Sequence, residues 1–154
     1  MSIYDSAEEQ FRAPVFAQSG AVVTVLPIRF GDCDLAGIAY YPRLLALVDA
    51  AVEDWTLAII GVDRATMHHR DHCGLPTLKL STSFDRPCRL GEQLALSVRA
   101  VAVSARSVTL DLSGRVGGEL RFSAELVQVL IDTKSTRSRL WPDIWRERIA
   151  ATIA

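Results

Sequence analysis

No apolar run in this chain approaches the roughly 20 residues that a membrane-spanning helix needs, which excludes a helical span. The first residues, MSIYDSAEEQF, have neither the basic start nor the apolar stretch of an export signal. Cysteine is scarce: Cys33, Cys73 and Cys88 are too few and too scattered for a disulfide framework. Reduced thiols and a cytoplasmic location are therefore expected. An excess of charge of one sign is missing as well. Seventeen Lys and Arg stand against 18 Asp and Glu, a net charge of -1, which leaves no electrostatic footprint for nucleic acid. Basic residues are dispersed, although Arg137, Arg139, Arg146 and Arg148 enrich the tail. There is no glycine-rich phosphate loop, no serine nucleophile elbow, no internal repeat and no low-complexity segment.

What is present is the balance of an ordinary globular domain. Hydrophobic residues make up 49% and charged residues 23% of 154 positions, enough for one domain with a real core. Residues 1–20 are weakly patterned and read as an extension, residues 21–135 as the domain, and residues 136–154 as a tail whose two tryptophans pack on the body or on another subunit. Val22 to Phe30 is apolar and β-branched, a strand that Pro27 consigns to an edge or a bulge.

From Pro42 the period changes. Leu44, Leu47, Val48, Ala51, Val52, Trp55 and Ile59 recur at spacings of three and four, which predicts an amphipathic helix. Pro42 suits its first turn and Gly61 its end. Four strand-like runs then follow between Leu78 and Asp132, with Gly117–Gly118 as a hairpin turn. They read as an antiparallel meander. In the last run the apolar set shifts from even to odd positions, which predicts a β-bulge near Leu126–Gln128. One helix over a five-stranded sheet is an α+β arrangement.

The densest chemistry lies in GDCDLAGIAYYP, Gly31 to Pro42, just before the helix. Two aspartates flank Cys33 there. A carboxylate at that place can cap the helix, hold a turn, or act on something bound by the unpaired helix amides. Asp32 reads as a loop-stabilising acceptor, Cys33 as a small buried filler, and Tyr40 and Tyr41 as partly core. A second cluster, HHRDHC, sets His68 and His72 four apart with Cys73 adjacent, but lacks the second spaced ligand pair of a zinc site. A solvated loop or short helix is expected there, and no metal or other cofactor.

The stretch FGDCDLAGIAYYPRLLALVDAAVEDW resembles the loop–helix motif of the 4-hydroxybenzoyl-CoA thioesterase family of hotdog-fold proteins. That resemblance implies a five-stranded antiparallel sheet wrapped around one long central helix, and homodimers or homotetramers. It implies hydrolysis of an acyl-CoA, with an aromatic acyl group such as 4-hydroxybenzoyl. It makes Asp34 the catalytic carboxylate, as nucleophile or general base, and the Tyr41 amide the donor to the thioester oxygen. Gly37, Ile38, Tyr40, Asp49 and Thr77 would line the acyl site, and Arg106–Ser107 would meet coenzyme A phosphates. Two alternatives stay open: a dehydratase of 3-hydroxyacyl thioesters, which would want a histidine absent from GDCDLAG, and a non-catalytic acyl-CoA-binding protein.

Overall fold

The computed structural model describes residues 15–16 and 20–153. The chain runs β1 (Val15–Phe16), β2 (Val22–Pro27), a 3-10 turn (Phe30–Asp32), α1 (Tyr41–Trp55), α2 (Arg64–His69), β3 (Cys73–Gly74), β4 (Thr77–Phe84), β5 (Gln93–Val103), β6 (Ser107–Val116), β7 (Glu119–Val129), β8 (Ile131–Asp132) and α3 (Asp143–Ala150). Apart from Val15, Phe16 and Gly20, the expected N-terminal extension lies outside the described residues.

The predicted helix is α1. Pro42 lies in its first turn, and Leu44, Val48, Ala51, Val52 and Trp55 form its buried stripe. Beyond Trp55 the backbone loosens into a π-helical turn, Thr56–Ile60, and stops at Gly61. The helix packs against β5 and β2, and Thr24 on β2 donates a 2.8 Å hydrogen bond to Asp54.

The sheet corrects the sequence expectation in two respects. Among the described residues it has six strands in the order β1-β2-β5-β6-β7-β4, with β3 and β8 forming a separate pair. The sixth strand is Val15–Phe16, which pairs with Val22 and Val23 from within the stretch read as an extension. The four later strands are not a simple meander either. β5, β6 and β7 follow one another, but β4 crosses to the far side of β7 and forms the edge. Strand pairing is non-local, and alternation along one strand does not say which neighbour it takes.

Alternation does specify the buried face. Successive inner rows across the sheet join Thr24, Leu96, Gly114, Phe122 and Phe84, then Val22, Val98, Leu112, Ala124 and Thr82, then Ala100, Leu110, Leu126 and Leu80. The β7 phase does not switch where expected: Phe122, Ala124, Leu126 and Gln128 are all buried. The bulge near that step lies instead on β4, between Thr77 and Lys79. A glutamine in the inward row mimics a change of face when read as a sequence.

Gly114 is the small member of its row. A Cβ there would lie 2.5 Å from the Phe122 ring, and that ring stacks on Phe84 with centroids 6.0 Å apart. Gly114→Ala should therefore destabilise the fold by about 1–3 kcal/mol through overpacking. A urea midpoint equal to wild type would show that Phe122 can retreat freely.

The tail packs on the body. Trp141, Trp145 and Ile149 are buried in the same core as α1 and the sheet. Arg148 donates a 2.6 Å hydrogen bond to the Ile60 carbonyl at the end of the π-helical turn. Among the described residues, no helix is long and apolar enough to cross a membrane.

Candidate functional site

The loop before α1 folds back on itself as a miniature ladder. The Asp34 amide donates to Ile38 at 2.9 Å and the Tyr40 amide to Asp32 at 2.8 Å, and Cys33 pairs with Ala39. Gly37 turns the tip at φ 72°, a left-handed conformation that side-chain-bearing residues rarely adopt. The ladder is anchored from outside, since the Ala39 amide donates to Cys88 and the Gly37 carbonyl accepts from Leu90.

Asp34 orients its own carboxylate in this loop. Its Oδ1 accepts from the Ala36 amide at 2.9 Å and the Ile38 amide at 3.3 Å. Among the described residues Oδ2 has no hydrogen-bond partner. The side chain is exposed. One oxygen is thus fixed by the backbone and the other is free to meet a ligand. Asp32 is engaged otherwise: its carboxylate accepts from the Arg29 amide at 2.9 Å, as expected of a loop-stabilising acceptor. Cys33 is half-buried. Burial first, then the charges of Asp32 and Asp34, push its thiol pKa up, which keeps it protonated and poorly nucleophilic.

The ladder delivers Tyr40 as the residue that caps α1. The Tyr40 carbonyl takes the Arg43 and Leu44 amides, at 2.8 and 3.2 Å. Pro42 has no N–H, and among the described residues the Tyr41 amide is the donor left without an acceptor at the positive end of the helix. Tyr40 and Tyr41, expected to be partly core, are 54% and 57% exposed. Their rings meet edge to face at 5.6 Å, and Tyr41 meets Phe84 at 6.4 Å.

That contact marks one end of a groove. Leu80, Thr82 and Phe84 belong to the inner rows of the sheet, yet α1 packs on β2 and β5 and leaves Thr82 half-buried and Leu80 and Phe84 exposed. Leu80 is 41% and Phe84 51% exposed. The uncovered strip runs along β4 from Phe84, beside Tyr41, back to Thr77.

At the Thr77 end lies a polar cavity of about 230 Å³, lined by Asp49, Glu53, Arg64 and His68. Gln128, buried on β7, joins it to the groove. Its amide nitrogen donates to the Thr77 hydroxyl at 3.2 Å and its oxygen accepts from Arg64 Nη2 at 3.4 Å. Arg64 Nε is buried without a hydrogen-bond partner among the described residues. Burial lowers the pKa of Arg64, and Asp49 and Glu53 oppose that shift.

The sequence-predicted residues therefore fall into three places. Asp34, Gly37, Ile38, Tyr40 and Tyr41 share the loop and helix start. Asp49 and Thr77 stand at the far end of the groove. Arg106 and Ser107 lie apart, at the turn between β5 and β6. There the Ser104 hydroxyl accepts from both their amides, and Arg106 Nη1 donates to the Ser138 carbonyl at 2.9 Å. Arg64, Glu53 and Gln128 were not foreseen; the one signal for them was a polar residue in the inward phase of β7. His68 and His69 are exposed on α2, and Cys73 is buried on β3. Among the described residues no three His, Cys, Asp or Glu side chains are grouped to hold a metal ion.

Residues 28–149 match a family model described as the thioesterase-like superfamily. A 1,4-dihydroxy-2-naphthoyl-CoA hydrolase of Synechococcus elongatus is 31% identical over 85 residues, which cover 54% of this chain and 62% of the relative. Among solved structures, a thioesterase superfamily protein from Jannaschia superposes with a TM-score of 0.81 at 23% identity, covering 87% of this chain and 94% of that one. A 1,4-dihydroxy-2-naphthoyl-CoA thioesterase from Synechocystis gives a TM-score of 0.76 at 20% identity, covering 84% and 96%. At these identities the structures establish a shared hotdog fold.

Proposed function

The chain belongs to the thioesterase-like superfamily, and from that premise we propose that it hydrolyses an aromatic acyl-CoA to the free acid and coenzyme A. The observation that carries this reading is the Asp34 carboxylate, held by one oxygen and free at the other, on the loop that ends at the unpaired Tyr41 amide. A thioester carbonyl oxygen at that amide gains stabilisation as it becomes an oxyanion. Asp34 then has two routes. Its free oxygen attacks the carbonyl carbon, the C–S bond breaks, thiolate leaves, and water hydrolyses the mixed anhydride. Alternatively it takes a proton from a water that attacks directly. Both routes end in a carboxylic acid and a thiol.

The uncovered apolar strip along β4 suits a flat ring, and the curated hydrolases similar to this chain are named for a hydroxylated bicyclic substrate. The loop motif favours the 4-hydroxybenzoyl-CoA thioesterase branch of the superfamily. β4 lacks a partner on its outer side among the described residues, so a second copy pairing there would remove an open edge. Reduced thiols and a coenzyme A substrate fit the cytoplasm.

Thiol release across benzoyl-, 4-hydroxybenzoyl-, 1,4-dihydroxy-2-naphthoyl- and straight-chain acyl-CoAs tests the reading. Aromatic esters should give the highest kcat/KM, and a clear preference for straight chains would overturn it. Arg106 supplies a second test. Arg106→Ala should raise KM for acyl-CoA and leave a truncated pantetheine thioester almost unaffected, because a phosphate contact acts far from the chemistry. Equal losses on both esters would instead assign Arg106 to the bond it makes with Ser138.

A further inference from the structure

The loop that presents Asp34 leans on one neighbouring segment, Cys88–Leu90, between β4 and β5. The Ala39 amide donates to the Cys88 carbonyl at 2.8 Å, the Leu90 amide donates to the Gly37 carbonyl at 3.0 Å, and Ile38 pairs with Arg89. Asp34 Oδ1 takes its second amide from Ile38. The aim of the carboxylate is therefore only as firm as that segment. The Tyr41 amide is held independently, because it belongs to α1.

Two fastenings hold Cys88–Leu90 in place. On its C-terminal side the Gly91 amide donates to the Ile28 carbonyl at 2.9 Å, and the Ile28 amide to the Glu92 carbonyl at 2.8 Å. The other fastening is a side chain from β7. Arg121 Nη1 donates to the Pro87 carbonyl and to Glu92 Oε2, the latter at 2.8 Å, and Nη2 donates to Glu92 Oε1 at 3.1 Å. Glu92 Oε2 also accepts from the Arg89 amide at 2.8 Å. One guanidinium–carboxylate pair thus ties Pro87, Arg89 and Glu92 together around the residues that carry the Asp34 loop.

This pair is of the strong kind. Its fork is bidentate, and the Arg121 side chain is 12% exposed, whereas Arg70, Arg86 and Arg99 make their ion pairs while more than half exposed. The backbone is shaped to supply it. The pairing of β7 with β6 steps from Gly114–Phe122 to Arg115–Leu120 and passes over Arg121. A β-bulge of that kind re-aims a side chain, here toward Pro87 and Glu92.

We infer that Arg121, acting through Glu92, is a positioning residue for Asp34: it fixes the segment on which the Asp34 loop rests, and with it the placement of the carboxylate against a thioester held at the Tyr41 amide. This rests on the thioesterase reading above and extends it to a residue that touches neither substrate nor Asp34.

Arg121→Met keeps the aliphatic stem and removes the fork. It should lower kcat for acyl-CoA hydrolysis by about 10-fold or more and leave KM within about 2-fold, the split expected when reacting groups are misplaced and substrate contacts are kept. In an Asp34→Asn background the same substitution should change the residual kcat by less than about 2-fold, because the group it aims is already gone. An arginine that only supports the fold would give the same loss in both backgrounds. Equal losses, or a wild-type kcat in Arg121→Met, would overturn the inference and leave the thioesterase reading standing. A wild type that hydrolyses no acyl-CoA overturns both. Should Arg121→Met fail to fold, Glu92→Gln decides by hydrogen exchange, since its carboxamide oxygen still accepts from the Arg89 amide. The Ala39 and Leu90 amides should then exchange at least about 10-fold faster than in wild type, with the α1 amides unchanged. No change at Ala39 and Leu90, or an equal acceleration across α1, overturns the proposal.

Discussion

Asp34→Asn should lower kcat for acyl-CoA hydrolysis by at least about 10²-fold while the protein keeps its fold. The substitution discriminates because of how the loop uses this side chain. Its Oδ1 accepts the Ala36 and Ile38 amides, and the carboxamide oxygen of asparagine can accept both. What disappears is the negative charge that attack or proton abstraction requires. If Asp34 did no more than shape the loop, Asn would be nearly silent. Asp34→Ala removes both functions and cannot separate them. Single-turnover thiol release with matched circular dichroism spectra is the measurement, and near-normal release by the Asn variant would reduce Asp34 to a turn residue.

The largest expected stability effect belongs to Trp55. It is fully buried where α1 passes into its π-helical turn. Trp55→Ala should be destabilising by about 3–5 kcal/mol, the range for emptying so large a side chain. That is a large part of the roughly 5–15 kcal/mol that holds a domain together. The indole Nε1 is buried without a hydrogen-bond partner among the described residues, so Trp55→Phe should recover most of the loss: it refills much of the volume and removes an unanswered donor. Urea midpoints with an unchanged m value would report this. A phenylalanine variant as unstable as the alanine one would mean that indole shape, not burial alone, holds the junction.

Several features were legible in the sequence because their signals are local. Helix α1 was marked by its apolar spacing, by Pro42 at one end and by Gly61 at the other. The Gly117–Gly118 hairpin was equally local. The loop and helix start of the candidate site occupy one stretch, Gly31 to Pro42, and could be read together. The polar cavity could not. Its groups come from α1, α2, β4 and β7, and Arg64 or Gln128 alone is one polar residue with no periodic companion. The exposure of Tyr40, Tyr41, Leu80 and Phe84 was hidden for a different reason. Hydrophobicity says which face of a strand points inward, but not whether the helix reaches far enough to cover it. The edge position of β4 likewise depended on which strand it paired with.

That strand order, β1-β2-β5-β6-β7-β4, also constrains the route by which the chain folds. Besides the two-residue β1 against β2, the strands that neighbour one another both in sequence and in space are β5, β6 and β7, joined by two short turns. Closing them requires little loop entropy, which favours their early formation. β2 must wait for β5, made after the whole of α1 and β4, and β4 must wait for β7. Ile149, fully buried in the core, is synthesised later still. A ribosome-bound chain therefore holds its central hairpins while both flanking strands remain unsealed. The wall that carries Leu80, Thr82 and Phe84 docks only after β7 has emerged, and the core closes with α3.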